Sequence, residues 1–230
     1  METKFRLLLL FFIIIIASSC SNNEDDESLT ECDFVGFKYY QGEQDQLGEM
    51  SKEYILIASD TINSDSSIIS IIQSKDYLDQ NYEFRITQYD HYKYKQVAVK
   101  LSFERNCQEI TEIISDLNQN SIIDYVHYTM NTDDCTNLIF EQIGDKCVNS
   151  YSDVFYVKVN DPNNLTDLNN TMQETNTVLD HQNQFMPEWF TLRADKNSNG
   201  DALHMANYFQ ETNLFEHSEP QIIKIPVEYN

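Results

Sequence analysis

The sequence predicts an α+β fold in which two tandem β-α-β-β-α-β modules follow a signal peptide and an acidic tether. Three observations carry that expectation. An apolar run near the N-terminus ends at a cysteine, and a block of acidic and polar residues lies behind it. In each half of the remainder, stretches with a period of two alternate with stretches whose apolar residues recur at three and four. The expected limits are 1–19 for the signal peptide, 20–30 for the tether, 31–130 for the first module, 131–151 for a connecting hairpin and 152–230 for the second module.

Lys4 and Arg6 precede an unbroken apolar run from Leu7 to Ala17, which gives way to Ser18, Ser19 and Cys20. That run is too short to span a bilayer comfortably and leads straight into a small-residue site, the pattern of a cleaved signal peptide. Ala17-Ser18-Ser19-Cys20 resembles a bacterial lipobox, which implies cleavage before Cys20 and lipidation of its thiol. Ser21 to Ser28, with Glu24, Asp25, Asp26 and Glu27, has nothing to bury and reads as a solvated tether. Its acidic residues also resemble the surface-export signal of Bacteroidota lipoproteins. The expected location is therefore the cell envelope, as an outer-membrane lipoprotein open to surface display.

The formal charge of −23 becomes about −24 once Glu2, Lys4 and Arg6 leave with the signal peptide. A chain this acidic is repelled by nucleic acid and by anionic lipid, so no nucleic-acid partner is expected, and membrane contact is expected only through the lipid anchor. With 5 Gly, 4 Pro, 41% apolar and 12% aromatic residues, the body has the composition of a globular protein with a real core.

In chain order, Tyr54 to Ala58 reads as a strand, Ser67 to Gln73 as a short helix and Tyr82 to Tyr89 as a strand. Val97, Val99 and Leu101 alternate in a third strand. Arg105 to Leu117 carries Ile110, Ile113, Ile114 and Leu117 on one helical stripe, and Ile122 to Tyr128 closes the first half as a strand. The second half repeats the pattern. Val154 to Val159 alternates as a strand, Asp161-Pro162 opens a helix with Leu165, Leu168 and Met172 at helical spacing, and Thr177 to Leu179 and Phe190 to Leu192 are strands. Ala202, Met205, Ala206 and Phe209 mark the inner face of a second helix, and Leu214 to Ser218 is a short closing strand. This order is the split arrangement of a ferredoxin-like sandwich.

With Cys20 lipidated, Cys32, Cys107, Cys135 and Cys147 remain in a compartment that permits disulfides. Cys135 and Cys147 flank one hairpin, so their pairing is preferred, and Cys32 with Cys107 follows by elimination. No CxxC or HxxxH pair points to zinc.

No GxSxG elbow, HExxH helix, GxxxxGK loop or GxGxxG turn occurs, and the histidines at 91, 127, 181, 204 and 217 show no nucleophile-base spacing. No catalytic residue and no cofactor is expected. Asp195-Lys196-Asn197-Ser198-Asn199-Gly200 matches the first half of an EF-hand loop, but the twelfth position, which needs a bidentate Glu, is Ala206. Turn formers and a helix cap account for the same residues, so no metal site is expected.

Four segments carry a resemblance: Phe155-Tyr156-Val157-Lys158-Val159, Gln184 to Leu192 (QFMPEWFTL), Lys196 to Asn207 (KNSNGDALHMAN) and Glu211 to Pro220 (ETNLFEHSEP). Together they resemble the N-terminal, inhibitor-like prodomain region of Bacteroidota subtilisin-like serine peptidases. The resemblance covers about 151–221 clearly and Cys32 to Met130 more faintly, with Phe37-Lys38-Tyr39-Tyr40-Gln41-Gly42-Glu43 similar to the usual start of those proteins. The DxG, HGTH and GTSxA motifs of their catalytic domain are absent from this sequence. What the resemblance implies is therefore a non-catalytic protein-binding module, an inhibitor or folding chaperone of a subtilisin-like peptidase. A surface adhesion or scaffold lipoprotein, or a truncated peptidase remnant, is the alternative.

Strand alternation places Phe155, Val157, Val159, Phe190 and Leu192 on one face and Tyr156, Lys158, Trp189 and Thr191 on the other. The second set forms the expected partner surface, with Tyr156 and Trp189 as anchors, unless those two rings instead pack against the first module. The resemblance adds the tail, with Ile222 to Asn230 extended and Glu228, Tyr229 and Asn230 offered to a partner's cleft, unless that segment is an edge strand or a frayed end.

Overall fold

The structure, a computed structural model, describes residues 31–88 and 93–228. The signal peptide, Cys20 and the tether lie outside the described residues, as do Tyr229 and Asn230.

A small hairpin opens the described chain: β1 (Phe37–Tyr40) pairs with β2 (Glu43–Gln46). Its two-residue turn, Gln41-Gly42, has positive φ at both positions, which matches the twist of the flanking strands and suits glycine at the second. This hairpin was not expected from periodicity, because β2 is exposed throughout and carries no apolar alternation.

The body is a mixed α+β arrangement with four helices on a mostly antiparallel sheet. It runs β3 (Met50–Asp60), α1 (Asp65–Gln73), β4 (Thr87–Gln88), β5 (Tyr94–Lys100), α2 (Cys107–Asn118) and β6 (Tyr125–Thr132). It continues with β7 (Lys146–Lys158), α3 (Thr166–Thr175), β8 (Val178–Gln182), β9 (Trp189–Arg193), α4 (Ala202–Glu211) and β10 (His217–Glu228). The strands line up as β4-β5-β3-β6-β7-β9-β8, and β10 pairs with β7. Within the first four the order is β4-β5-β3-β6, and within the last four it is β10-β7-β9-β8, so each half places its strands in the same relative order.

The long strand β7 joins the halves. Its beginning pairs with β6 through Met130↔Asn149 and Thr132↔Cys147, its end pairs with β9, and β10 runs beside it from His217↔Lys158 to Glu228↔Lys146. Beyond Cys147–Asn149, β6 parts from β7. The space that opens is filled by a stack of Tyr125, His127 and Tyr151, with ring centroids 4.4 and 4.3 Å apart.

Each helix pair buries its stripe on its own strands. Ile110, Ile113 and Leu117 of α2 join Ile68 and Ile72 of α1 over Ile55, Ile57, Val97, Val99, Val126 and Tyr128. Asn106 caps α2 and Glu109 reciprocates in a capping box. In the other half, Ala202, Met205, Ala206 and Phe209 of α4 pack with Leu168 of α3 on Phe155, Val157, Val159, Phe190 and Leu192, the face expected from alternation. Asp201 caps α4 by accepting from the His204 backbone N–H at 2.9 Å.

Three expected elements differ. The Tyr82 to Tyr89 strand is reduced to Thr87–Gln88 among the described residues. Its apolar alternation comes from wrapping the sheet edge, with Tyr82 packed on one face and Phe84 and Ile86 on the other. The helix expected to open at Asp161-Pro162 starts at Thr166, because Asp161 and Asn164 turn their side chains onto the backbone N–H groups of Asn163 and Thr166 and form turns instead. The short closing strand is twelve residues long. Ile222 to Val227 is thus sheet rather than a free tail, with Ile225 and Val227 buried against Tyr54, Leu56, Tyr94 and Tyr125 on the helix-free face of the first half.

Both disulfides take the expected pairing, Cys32 with Cys107 and Cys135 with Cys147, at Cα separations of 5.3 and 5.5 Å.

Candidate functional site

A sheet with helices on one face must dispose of the other. In the second half that face is left open and forms a cleft of about 540 Å³. Alternation on β9 turns Trp189, Thr191 and Arg193 to this side, opposite Lys158, Tyr156 and Val154 of β7, as the register requires. Tyr94 and Lys93 of the first half form a second wall, Met186 lies at the rim, and Glu219 and Gln221 of β10 close the floor.

Charge in the cleft is arranged around Arg193. Its guanidinium donates to both oxygens of the buried Asp153 at 3.0 and 2.9 Å and, through Nε, to Asp180 at 2.8 Å. The hydrogen bond from Arg193 is the main reason the Asp180 carboxyl lies below its ordinary range. Burial works against the Arg193 charge, but the two carboxylates more than offset it and raise its pKa further. Asp180 sits at a register shift between Leu179 and His181 of β8, which turns its side chain toward Arg193.

His181 Nδ1 lies 2.7 Å from Asp180 Oδ2, and its Nε2 lies 3.4 Å from the Thr191 hydroxyl. Hydroxyl, imidazole and carboxylate stand in the series that a hydrolytic relay uses. Arg193 also holds this carboxylate and Thr191 is buried beneath the imidazole, so His181 is fixed between Asp180 and Thr191. Gln221 crosses the floor, donating to the Tyr156 hydroxyl at 3.1 Å and accepting from Ser152 at 2.7 Å. Trp189 meets His217 edge to face at 5.6 Å.

Of the expected partner residues, Tyr156, Trp189 and Thr191 therefore share one cleft. Lys158 lies on the same face but turns to Glu216 in an ion pair. Glu228 is far along β10, beside Lys146 at 3.9 Å, and Tyr229 and Asn230 lie outside the described residues. The segment leading to Glu228 is the edge strand that stood as the alternative to a free tail, paired along one side with β7. Arg193 was readable in advance, since it shares the parity of Trp189 and Thr191. Asp153, Asp180 and Tyr94 were not, because they reach the cleft through the shift on β8 and the divergence of the half-sheets.

One edge of the cleft is also a free sheet edge. β8 pairs only with β9, all five of its residues are exposed, and Val178, Leu179, Phe185 and Met186 add apolar surface beside it.

The loop Asp195 to Gly200 acts as a turn. Asp195 accepts from the Asn197 backbone N–H, and Ser198 and Asn199 donate to the carbonyls of Asn176 and Glu174 at the end of α3. Among the described residues, no group of three or more His, Cys, Asp or Glu side chains could hold a metal ion.

No known protein family matches the chain, and no curated protein matches it in sequence. Among solved structures, the acetolactate synthase small subunit from Thermotoga maritima aligns with a TM-score of 0.28 and 6% identity, over 75% of this chain and 95% of that one. At that score the likeness carries no functional information.

Proposed function

We propose that this chain is a non-catalytic envelope lipoprotein, anchored through Cys20, whose two ferredoxin-like halves form a protein-binding module. Its partner surface is the open face of the second half, with Tyr156 and Trp189 as the anchors. The observation that supports this reading is the conjunction of a helix-free, aromatic-bearing cleft with the unpaired edge of β8 and its exposed apolar residues. Aromatic residues at the centre of a half-buried patch are the usual source of binding energy, and a free edge offers main-chain hydrogen bonds to a partner's strand. The resemblance to subtilase prodomains names the partner class, a subtilisin-like serine peptidase that the module inhibits or escorts. The tail is assigned no part because Glu228 stands far along β10, beside Lys146 and away from the cleft residues Glu219 and Gln221.

The test is a titration of purified residues 21–230 into a subtilisin-like peptidase of the same envelope. Hydrolysis should slow at micromolar protein or below, and Trp189→Ala with Tyr156→Ala should weaken the effect about tenfold or more, the loss typical of two interface anchors. Binding without slowed hydrolysis would favour a docking or scaffold role. No binding at all would remove the peptidase as partner.

A further inference from the structure

The segment between β6 and β7 is closed by the Cys135–Cys147 disulfide and carries three consecutive apolar side chains in full view of solvent: Leu138 at 100% exposure, Ile139 at 76% and Phe140 at 88%. A run of this kind is costly to leave in water unless something covers it. The loop is built to hold it out. Asn137 Oδ1 accepts from the backbone N–H groups of Ile139 at 3.0 Å and Glu141 at 2.9 Å, and Phe140 N–H donates to the Asn137 carbonyl at 2.9 Å, which makes a tight turn of the tip. At the base, Lys224 of β10 binds Asp134 Oδ2 at 2.6 Å and the Thr136 carbonyl at 2.9 Å. Gly144 lies so close to β10 that a Cβ there would stand 2.8 Å from the Glu228 carbonyl oxygen.

The position of this tip indicates what covers it. Arg105 N–H donates to the Lys52 carbonyl at the start of β3, two residues before Cys107, and Cys107 holds Cys32 in the other disulfide. The neighbouring Glu53 pairs with Lys146 at 2.9 Å, beside Cys147. Both disulfides therefore sit at one end of β3, and the described chain enters at that same end. Phe103, 71% exposed, lies in the loop between β5 and α2 at this end as well. A chain tethered by a lipidated Cys20 enters its folded part at the end that carries these exposed apolar side chains.

We infer that the Leu138-Ile139-Phe140 tip inserts into the bilayer interface as a second membrane contact; this rests on the lipoprotein reading above. Three apolar side chains give only weak partitioning by themselves, and the anchor makes it effective by raising the local concentration of lipid. Asp133, Asp134, Glu141 and Asp145 flank the tip, so the matching surface is zwitterionic rather than anionic.

The chain from Cys20 onward, which contains every described residue, is coupled through the Cys20 thiol to a maleimide lipid in phosphatidylcholine vesicles that carry brominated acyl chains. Phe140→Trp in a Trp189→Phe background should be quenched, whereas Tyr208→Trp on α4 in the same background should not. Leu138→Asp with Ile139→Asp should remove the quenching, with an unchanged circular dichroism spectrum showing that the fold is intact. Equal quenching at 140 and 208, or none at 140, overturns the inference, as does a Phe140 variant that loses peptidase binding but was never quenched, since the tip then serves a protein. Lipid labelling of Cys20 in cells tests the anchor separately, because the synthetic tether supplies the attachment whether or not the cell does.

Discussion

The Tyr151 hydroxyl donates to Asp201 Oδ2 at 2.8 Å, tying the middle of β7 to the cap of α4. Tyr151 is 1% exposed, and burial together with this carboxylate pushes its phenol well above the ordinary tyrosine pKa. Tyr151→Phe keeps the ring in its stack with His127 but leaves one Asp201 oxygen without its donor. A loss of about 1–3 kcal/mol is expected, the cost of an unsatisfied buried acceptor. Urea unfolding followed by far-ultraviolet circular dichroism measures it.

The same carboxylate sets a pH dependence. His204 Nδ1 lies 2.9 Å from Asp201 and its Nε2 lies 3.3 Å from Asp33. Burial opposes the imidazolium, but the two carboxylates outweigh it and raise the pKa to about 10 from an ordinary 6.5. A pKa raised on folding means that this stabilisation is complete below pH 6.5 and is lost as pH rises toward 10. His127 has the opposite sign. Fully buried, it is pushed down by desolvation, so its contribution is present above pH 6.5 and lost in acid. Unfolding midpoints measured across this range should fall from pH 7 to 10, and His204→Gln should flatten that slope.

Arg193 is the only cation hydrogen-bonded to the buried Asp153 among the described contacts. Arg193→Met leaves that carboxylate uncompensated and should cost about 3–5 kcal/mol, and adding Asp153→Asn should recover part of it. A double-mutant cycle of urea midpoints separates the pair from the cavity effect.

The two disulfides close loops of very different size, 75 and 12 residues apart in sequence. By loop entropy the first should contribute roughly 4 kcal/mol and the second roughly 3 kcal/mol. Cys32→Ser with Cys107→Ser should therefore lower the thermal midpoint further than Cys135→Ser with Cys147→Ser.

Much of the framework was legible because burial follows period. The inward set Phe155, Val157 and Val159, the stripe of α2 and the inner face of α4 each repeat at the spacing their element demands. The Cys135–Cys147 pairing followed from loop anatomy and the Cys32–Cys107 pairing by elimination. The length of β10 was hidden by Pro220 and Pro226, residues that normally end a strand. Each precedes a register shift against β7, where the ladder tolerates a missing donor. The Tyr82 to Ile86 alternation misled for a related reason, since a segment wrapping an edge alternates without pairing. The cleft was half visible. Tyr156, Trp189 and Thr191 share a parity that sequence displays, whereas the Asp153 and Asp180 grip on Arg193 depends on a shift within β8 and on tertiary approach.

Hydrogen–deuterium exchange of the complex with a subtilisin-like peptidase tests most directly whether the open sheet face is the partner surface. Amides of residues 178–193, which include the free edge of β8 and the loop carrying Phe185 and Met186, should slow on binding, while 222–228 should exchange as in the free chain. Slowing confined to 222–230, or no slowing anywhere, would contradict the account.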